Sequence, residues 1–361
     1  MSEADLAVIG RRWQERIEAS PEYSVIANDN VFRLGFNQNA IKESVYCNLQ
    51  NLLNNLCLKY EGYSVLEALP GEVFENDEGE YYKISSSHPC VFSSPGSHDI
   101  GLFLRQDLSL VRGIGKVTSK RFKELGCCNL SDLVKWKRFH KSAGNVLDIL
   151  DDTPHSISRF LFARKGAAHP ASLLTSCLHH HELFRFVDIE TLGMFGRPLI
   201  LIGLGFFKGV TLHIVQFLLR EIGEEAAALS AFCDLIPDDA IFVSFNGKCF
   251  DIPYISDRLA YYGLSPLPDI LHYDLLHPAR RLWKNDVCDC RLTTLERHFL
   301  NCYRREDLPG ALVPEWYARY METENPGPLI PVVEHNRQDV LTLAILLFRL
   351  QQEWYERLRV S

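Results

Sequence analysis

Asp188-Ile189-Glu190 closes an apolar run, Phe184-Arg185-Phe186-Val187. In a strand, carboxylates one residue apart point to the same face. Set side by side among apolar neighbours they raise each other's pKa, and a cation relieves the repulsion. Three more groups follow at long range. Asp251 closes Asn246-Gly247-Lys248-Cys249-Phe250-Asp251, and His335 and Asp339 lie in Glu334-His335-Asn336-Arg337-Gln338-Asp339. Four apart on a helix, His335 and Asp339 share a face. Four acids at the borders of regular elements can hold two divalent metals ~3.5–4 Å apart, the arrangement suited to in-line phosphoryl transfer. All-oxygen donors favour Mg²⁺, with Mn²⁺ as a substitute. His335, ordinarily titrating near ~6.5, can take the proton of an attacking water. Each motif taken singly has a plainer reading: an acidic strand face, a turn with a helix N-cap, a polar helix face. The conjunction favours a metal site.

The elements that would carry these groups follow from the hydrophobic pattern. Residues 184–188, 199–206 and 211–217 read as three strands of an antiparallel meander. A helix is expected over 224–235, a buried strand over 240–245, a helix over 252–262, a strand over 269–273 and a last helix over 332–352. That order is the ribonuclease-H-like one, an α/β mixed sheet with flanking helices. The last helix has an apolar side to bury, Val340, Leu341, Leu343 and Leu347, and a second side free for the site.

Upstream, the net charge of −8 hides an unequal distribution. Residues 112–141 carry nine Lys and Arg against two acids, a net +7. A basic island in an acidic chain is a local electrostatic footprint. Within it, the stretch from Leu108 through Arg112-Gly113-Ile114-Gly115-Lys116-Val117-Thr118 to Phe122 resembles a helix-hairpin-helix. Gly113 and Gly115 permit positive φ and close approach to a phosphate. The N–H groups of the second helix would face that phosphate. Lys116, Lys120 and Arg121, with Thr118 in the first turn, would fix binding without reading base sequence. Such motifs usually grip duplex DNA, which favours DNA over RNA.

The chain therefore divides, as an expectation, into an N-terminal α+β region (1–95), a helix-hairpin-helix region (96–165), a linker (166–181) and the ribonuclease-H-like domain (182–361). A helix is expected over 40–58, and turns at Pro70-Gly71-Glu72 and Asp77-Glu78-Gly79 flank short strands. No long apolar run suggests a membrane span. The N-terminus lacks a secretory pattern, and eleven cysteines without a disulfide framework suit a reducing cytoplasm.

The motifs above, together with Asp274-Leu275-Leu276-His277-Pro278-Ala279-Arg280-Arg281-Leu282-Trp283 and Leu295-Glu296, resemble the YprB-like ribonuclease-H-like family of DEDD 3′–5′ exonucleases. The resemblance implies metal-dependent removal of nucleotides from a 3′ end, in a DNA-repair setting with a helicase partner. It implies Asp188, Glu190, Asp251 and Asp339 as metal ligands and His335 as the base. Thr191, Leu192 and Phe250 would flank the terminal nucleotide, with Asn246 a further contact. Arg280 and Arg281 would grip the strand. One departure stands out: the common histidine branch of these enzymes sets its histidine five residues before the last Asp, where this chain has Glu334.

Overall fold

The computed structural model describes residues 43–193, 196–304 and 307–360. The first part of the expected N-terminal region, residues 1–42, and the start of the helix expected over 40–58 lie outside the described residues. The rest of that helix is α1 (Glu43–Lys59), followed by the hairpin β1 (Gly71–Asn76) and β2 (Gly79–Pro89). A helical stretch includes α2 (Ser97–Arg105), α3 (Lys116–Glu124), α4 (His140–Leu150) and α5 (Pro154–Lys165). Then come β3 (Phe184–Thr191), β4 (Leu199–Lys208), β5 (Thr211–Leu218), α6 (Glu225–Cys233), β6 (Ile241–Ser244), α7 (Asp251–Tyr262) and β7 (Leu271–Asp274). Finally α8 (Leu276–Trp283), α9 (Val313–Thr323) and the long α10 (Leu329–Val360) close the chain.

Among the described residues, seven strands form one mixed sheet in the order β1-β2-β5-β4-β3-β6-β7. The meander β3-β4-β5 is antiparallel as expected, and β6 and β7 run parallel to β3. Period-2 alternation gives β3 two distinct faces. Phe184 and Phe186 pack with Val340, Leu343 and Leu347 of α10. Val187 and Ile189 pack with Ala228 and Leu229 of α6 and Tyr254 and Ile255 of α7. Asp188 and Glu190 continue the phenylalanine face, so they lie toward α10.

Two expected boundaries do not divide the structure. The β1–β2 hairpin belongs to the central sheet, because residues 82–89 pair with 211–218 of β5. Its Tyr82 and Ile84 join Leu49 and Leu53 of α1 in a core shared with Trp316 of α9 and Val332 of α10. The stretch 166–181, expected as a linker, is a buried seam. Ala171, Ser172, Leu173, Leu174, Thr175 and Ser176 are all buried. Thr175 Oγ1 lies 2.8 Å from Tyr273 OH, which donates to Ser158 Oγ at 3.0 Å; Gln351 Nε2 donates to Ser176 Oγ at 2.8 Å. Buried hydroxyls demand partners, and here each one ties α5, β7 or α10 to the seam. Gly166 and Pro170 fit a linker, but the polar groups that follow are paired inward. The helical region and the sheet consequently share one apolar cluster, from Ile100 and Ile114 through Leu161 to Phe186.

α10 crosses β3, β4 and β5 on one face. Glycines in β4 set its height. A Cβ on Gly203 would meet Asn336 Oδ1 at 2.3 Å, and one on Gly205 would meet Val340 Cγ1 at 2.7 Å. The buried Gln216 of β5 donates from Nε2 to Asn336 Oδ1 at 2.9 Å and to Val333 O at 2.8 Å. The helix thus lies close on a glycine floor and is pinned by amide hydrogen bonds. Among the described residues no helix is long and apolar enough to cross a membrane.

Overpacking a tight core typically costs ~1–3 kcal/mol. Gly203→Ala should lose about that much stability in urea denaturation, whereas Gly101→Ala, with open space around its position in α2, should lose none. Unchanged stability of Gly203→Ala would contradict the glycine floor.

Candidate active site

The acidic groups meet where the parallel pairing stops. β6 pairs with β3 only at Phe184, Arg185 and Phe186, so the end of β3 runs on without a neighbour on that side. Asp251 fills part of the gap: its Oδ1 accepts the Ile189 N–H at 3.2 Å. Asp251 is the first residue of α7, which follows Phe250. Its carboxylate therefore also benefits from the positive end of the helix dipole. The loop leading to it turns at Asn246 with φ 69°, a left-handed conformation that asparagine tolerates. Asp274 anchors this loop, accepting N–H bonds from Asn246 at 2.8 Å, Lys248 at 3.2 Å and Leu276 at 3.1 Å. Asp274 thus ties the start of α8 to the loop that carries Asp251.

On the other side, Asn336 of α10 holds Asp188. Its Nδ2 donates to Asp188 Oδ2 at 2.8 Å and to Asp188 O at 3.0 Å. His335 and Asp339 follow on the same helix. His335 Nε2 lies 3.8 Å from Glu190 Oε1 and 3.6 Å from Asp339 Oδ2. Thus all five groups singled out in the sequence gather at one end of β3.

Several partners carried no readable signal. Asp307 Oδ1 lies 2.8 Å from His335 Nδ1. Arg304 bonds Asp339 through Nη2 and the buried Glu296 through Nε at 2.6 Å and Nη2 at 2.7 Å. Its Nη1 sits 3.3 Å from Asp307 Oδ1 and 3.2 Å from His335 Nδ1. Thr342 also donates to Glu296. Asn336 lay within a motif already noted, flanked by His335. Arg304 and Asp307 come from a loop with no periodic pattern, so only the fold brings them to the site.

The electrostatics are those of crowded acids. Burial, then the charges of Asp339, Glu190 and Asp251, raise Asp188 well above the usual carboxylate range. Burial pushes Glu190 up to about 8, helped by Asp339 and Asp251 and opposed by His335. Burial raises Asp251 to about 7 against the N–H groups it accepts. For His335 burial works against the charge, but Asp339, the bond to Asp307 and Glu190 outweigh it and raise the imidazolium to about 9.

The donor chemistry of Asp188, Glu190, Asp251 and Asp339 fits a hard divalent cation. Such an ion would replace the protons that burial otherwise forces onto Asp188, Glu190 and Asp251. As the side chains stand, no group of three His, Cys, Asp or Glu among the described residues is arranged to hold a metal ion. One oxygen of Asp339 is engaged by Arg304.

The remaining candidates lie further out. Thr191 is buried and its hydroxyl donates to Gly193 O at 2.8 Å. Leu192 packs against the cluster of Trp316 and Val332. The Phe250 ring stands 5.4 Å from that of Tyr254. Arg281 is exposed and Arg280 half-buried on α8. In the hairpin, Gly113 has φ 89°, as expected, but Gly115 caps α3 with φ −92° and uses no positive-φ freedom. The expected first helix is only a 3₁₀ turn, Leu108–Leu110. Arg164 donates from Nη2 to Ser109 O at 2.8 Å and to Val111 O at 3.0 Å, and from Nε to Leu110 O at 2.9 Å. These bonds hold the turn in place of helical ones. Lys116, Lys120 and Arg121 are exposed and Thr118 half-buried.

Residues 185–351 match the family model of the RNase_H superfamily, RNase_H_2. The chain is 34% identical over 198 residues to the uncharacterized protein YprB of Bacillus subtilis (strain 168), covering 54% of this chain and 47% of that protein. The chain thus spans about half the length of the curated relative it matches. The mixed sheet with its flanking helices is a ribonuclease-H-like fold.

The raised carboxylates have a consequence for stability. A carboxyl whose pKa is higher folded than unfolded stabilises the fold fully below its unfolded value, here 3.8 for Asp251 and 4.5 for Glu190. That contribution is lost as pH rises through about 7 and about 8. His335, raised to about 9, acts in the same direction at higher pH. In EDTA, wild-type stability should fall more steeply between those limits than that of Asp251→Asn, by up to ~1.4 kcal/mol per pH unit for the deleted group. Urea denaturation across the range measures it, and parallel curves would contradict the crowding.

Proposed function

We propose that the chain is a metal-dependent 3′–5′ exonuclease acting on nucleic-acid ends, with DNA favoured over RNA. The observation that carries this reading is the convergence of Asp188, Glu190 and Asp251 beneath His335 and Asp339 at one end of β3. A ribonuclease-H-like fold with such an acidic end supports phosphodiester hydrolysis.

Asp188, Glu190, Asp251 and Asp339 would hold two divalent ions, Mg²⁺ or Mn²⁺. When bound, these supply Lewis acidity to the phosphoryl oxygens and acidify water. The chain's own groups do the rest. Asn336 orients the Asp188 carboxylate and the Ile189 N–H orients that of Asp251. Arg304 fixes one oxygen of Asp339, leaving the other toward His335. His335 Nε2 takes a proton from the attacking water as the water oxygen bonds to phosphorus. The bond from phosphorus to the 3′ oxygen breaks, and solvent protonates that oxygen. A resident histidine acts as this base only in its neutral form. The acids are what raise the His335 imidazolium, so bound cations that neutralised them would favour the neutral form.

The exposed Lys116, Lys120 and Arg121 on α3 support a backbone grip by the hairpin. The shared core between helical region and sheet supports a fixed distance from that grip to the acids.

End-labelled digestion of matched DNA and RNA oligonucleotides tests the reading. The expected result is nucleotide release from the 3′ end with Mg²⁺ or Mn²⁺ and none in EDTA. Loss of an outer-shell partner in a metal site costs about 10–100-fold, so Asp188→Ala should cost more than about 100-fold. Full activity of that variant would defeat the site. A ladder growing from the 5′ end would defeat the polarity, and faster RNA digestion would make RNA the substrate. Replacing Lys116, Lys120 and Arg121 together by alanine should cut the slope of log K against log salt by about two to three. An unchanged slope would remove the hairpin from binding.

A further inference from the structure

We infer that Asp307 is a positioning residue that holds His335 with its Nδ1 proton donated to the Asp307 carboxylate and its Nε2 turned toward Glu190 and Asp339. The inference deepens the proposed function and rests on it.

The geometry at the two imidazole nitrogens carries it. The imidazole meets different partners at its two nitrogens: Asp307 Oδ1 at 2.8 Å from Nδ1, and Glu190 Oε1 and Asp339 Oδ2 at 3.8 and 3.6 Å from Nε2. A carboxylate only accepts, so the close contact at Nδ1 requires a proton on that nitrogen. In the neutral ring Nε2 is then the atom with a free lone pair, facing the acids where a water would be activated.

Arg304 bears on the same nitrogen, with Nη1 3.2 Å from Nδ1. Arginine only donates, so it and Asp307 cannot both bond Nδ1 in one tautomer. Asp307 lies nearer, and Arg304 Nη1 has Asp307 Oδ1 as an acceptor at 3.3 Å. Arg304 therefore braces the carboxylate that braces the ring. Its other nitrogens tie this brace to Glu296 and to Asp339. The histidine, its orienting acid and the last acid of the site are thus fixed by one guanidinium. A base held by an acid through its remote nitrogen is a recurring device for fixing tautomer and ring angle.

The test compares Asp307→Asn and Asp307→Glu with the wild type in two readouts. Nuclease assays should give a kcat for Asp307→Asn lower by on the order of 10²-fold, with KM within about twofold. Asp307→Glu, which keeps a carboxylate, should retain more of kcat than Asp307→Asn. The second readout needs no catalysis: ¹⁵N-histidine NMR of the metal-free protein near about pH 10, where the ring is neutral. The wild type should show a proton on Nδ1 and none on Nε2 of His335, and Asp307→Asn should lose that preference. A wild-type proton on Nε2, an unchanged kcat in Asp307→Asn, or a loss confined to KM would overturn the inference. Absence of nuclease activity in the wild type with every metal would defeat the proposed function, while the tautomer stays readable.

Discussion

Carboxylates that repel one another are pressed together at the free end of β3, and the surrounding structure holds them there. Asp188 and Glu190 share a strand face by alternation alone. Asp251 is added because β6 ends early and leaves the Ile189 N–H for it to accept. Asp339 is added because α10 rests on glycines at Gly203 and Gly205, low enough for Asn336 to reach Asp188. Without counter-charge this arrangement is costly, which is why burial and mutual repulsion push Asp188, Glu190 and Asp251 toward protonation. The oxygen donors of this cluster have the chemistry that a hard divalent cation would satisfy.

The same constraint explains the cationic residues nearby. Arg304 is itself largely buried, and burial disfavours its charge; Asp339, Glu296 and Asp307 more than compensate and raise its pKa further. It neutralises part of the acidic end and links it to His335. The scaffold behind the site is packed into shared cores. The seam over 166–181 and the β1–β2 hairpin both join the sheet region, so the basic helix α3 and the acidic end belong to one packed body.

Much of this was legible in the chain. Strand alternation and helix period predicted β3 to β7 and α10, and the spacing of Asp188, Glu190, His335 and Asp339 predicted shared faces. The groups missed were those whose role depends on distant neighbours. Asp307 and Arg304 lie in a non-repeating loop, and Asn336 looked like one polar residue among several. The stretch 166–181 reads as a linker in the sequence, yet Ser172, Thr175 and Ser176 satisfy their hydroxyls inside the protein, which no local pattern shows. The hairpin β1–β2 was recognised as strands, but nothing local tells which sheet edge a strand will join. Gly115 shows the same limit, since a glycine permits positive φ without requiring it.

The central claim is that Asp188, Glu190, Asp251 and Asp339 act as one divalent-metal site. Calorimetric titration of Mn²⁺ into the metal-free protein tests it most directly, because it needs no substrate. The account predicts saturable binding by the wild type, weakened by about 10-fold or more in Asp188→Asn and in Asp251→Asn. Equal Mn²⁺ binding by the wild type and both variants would contradict it.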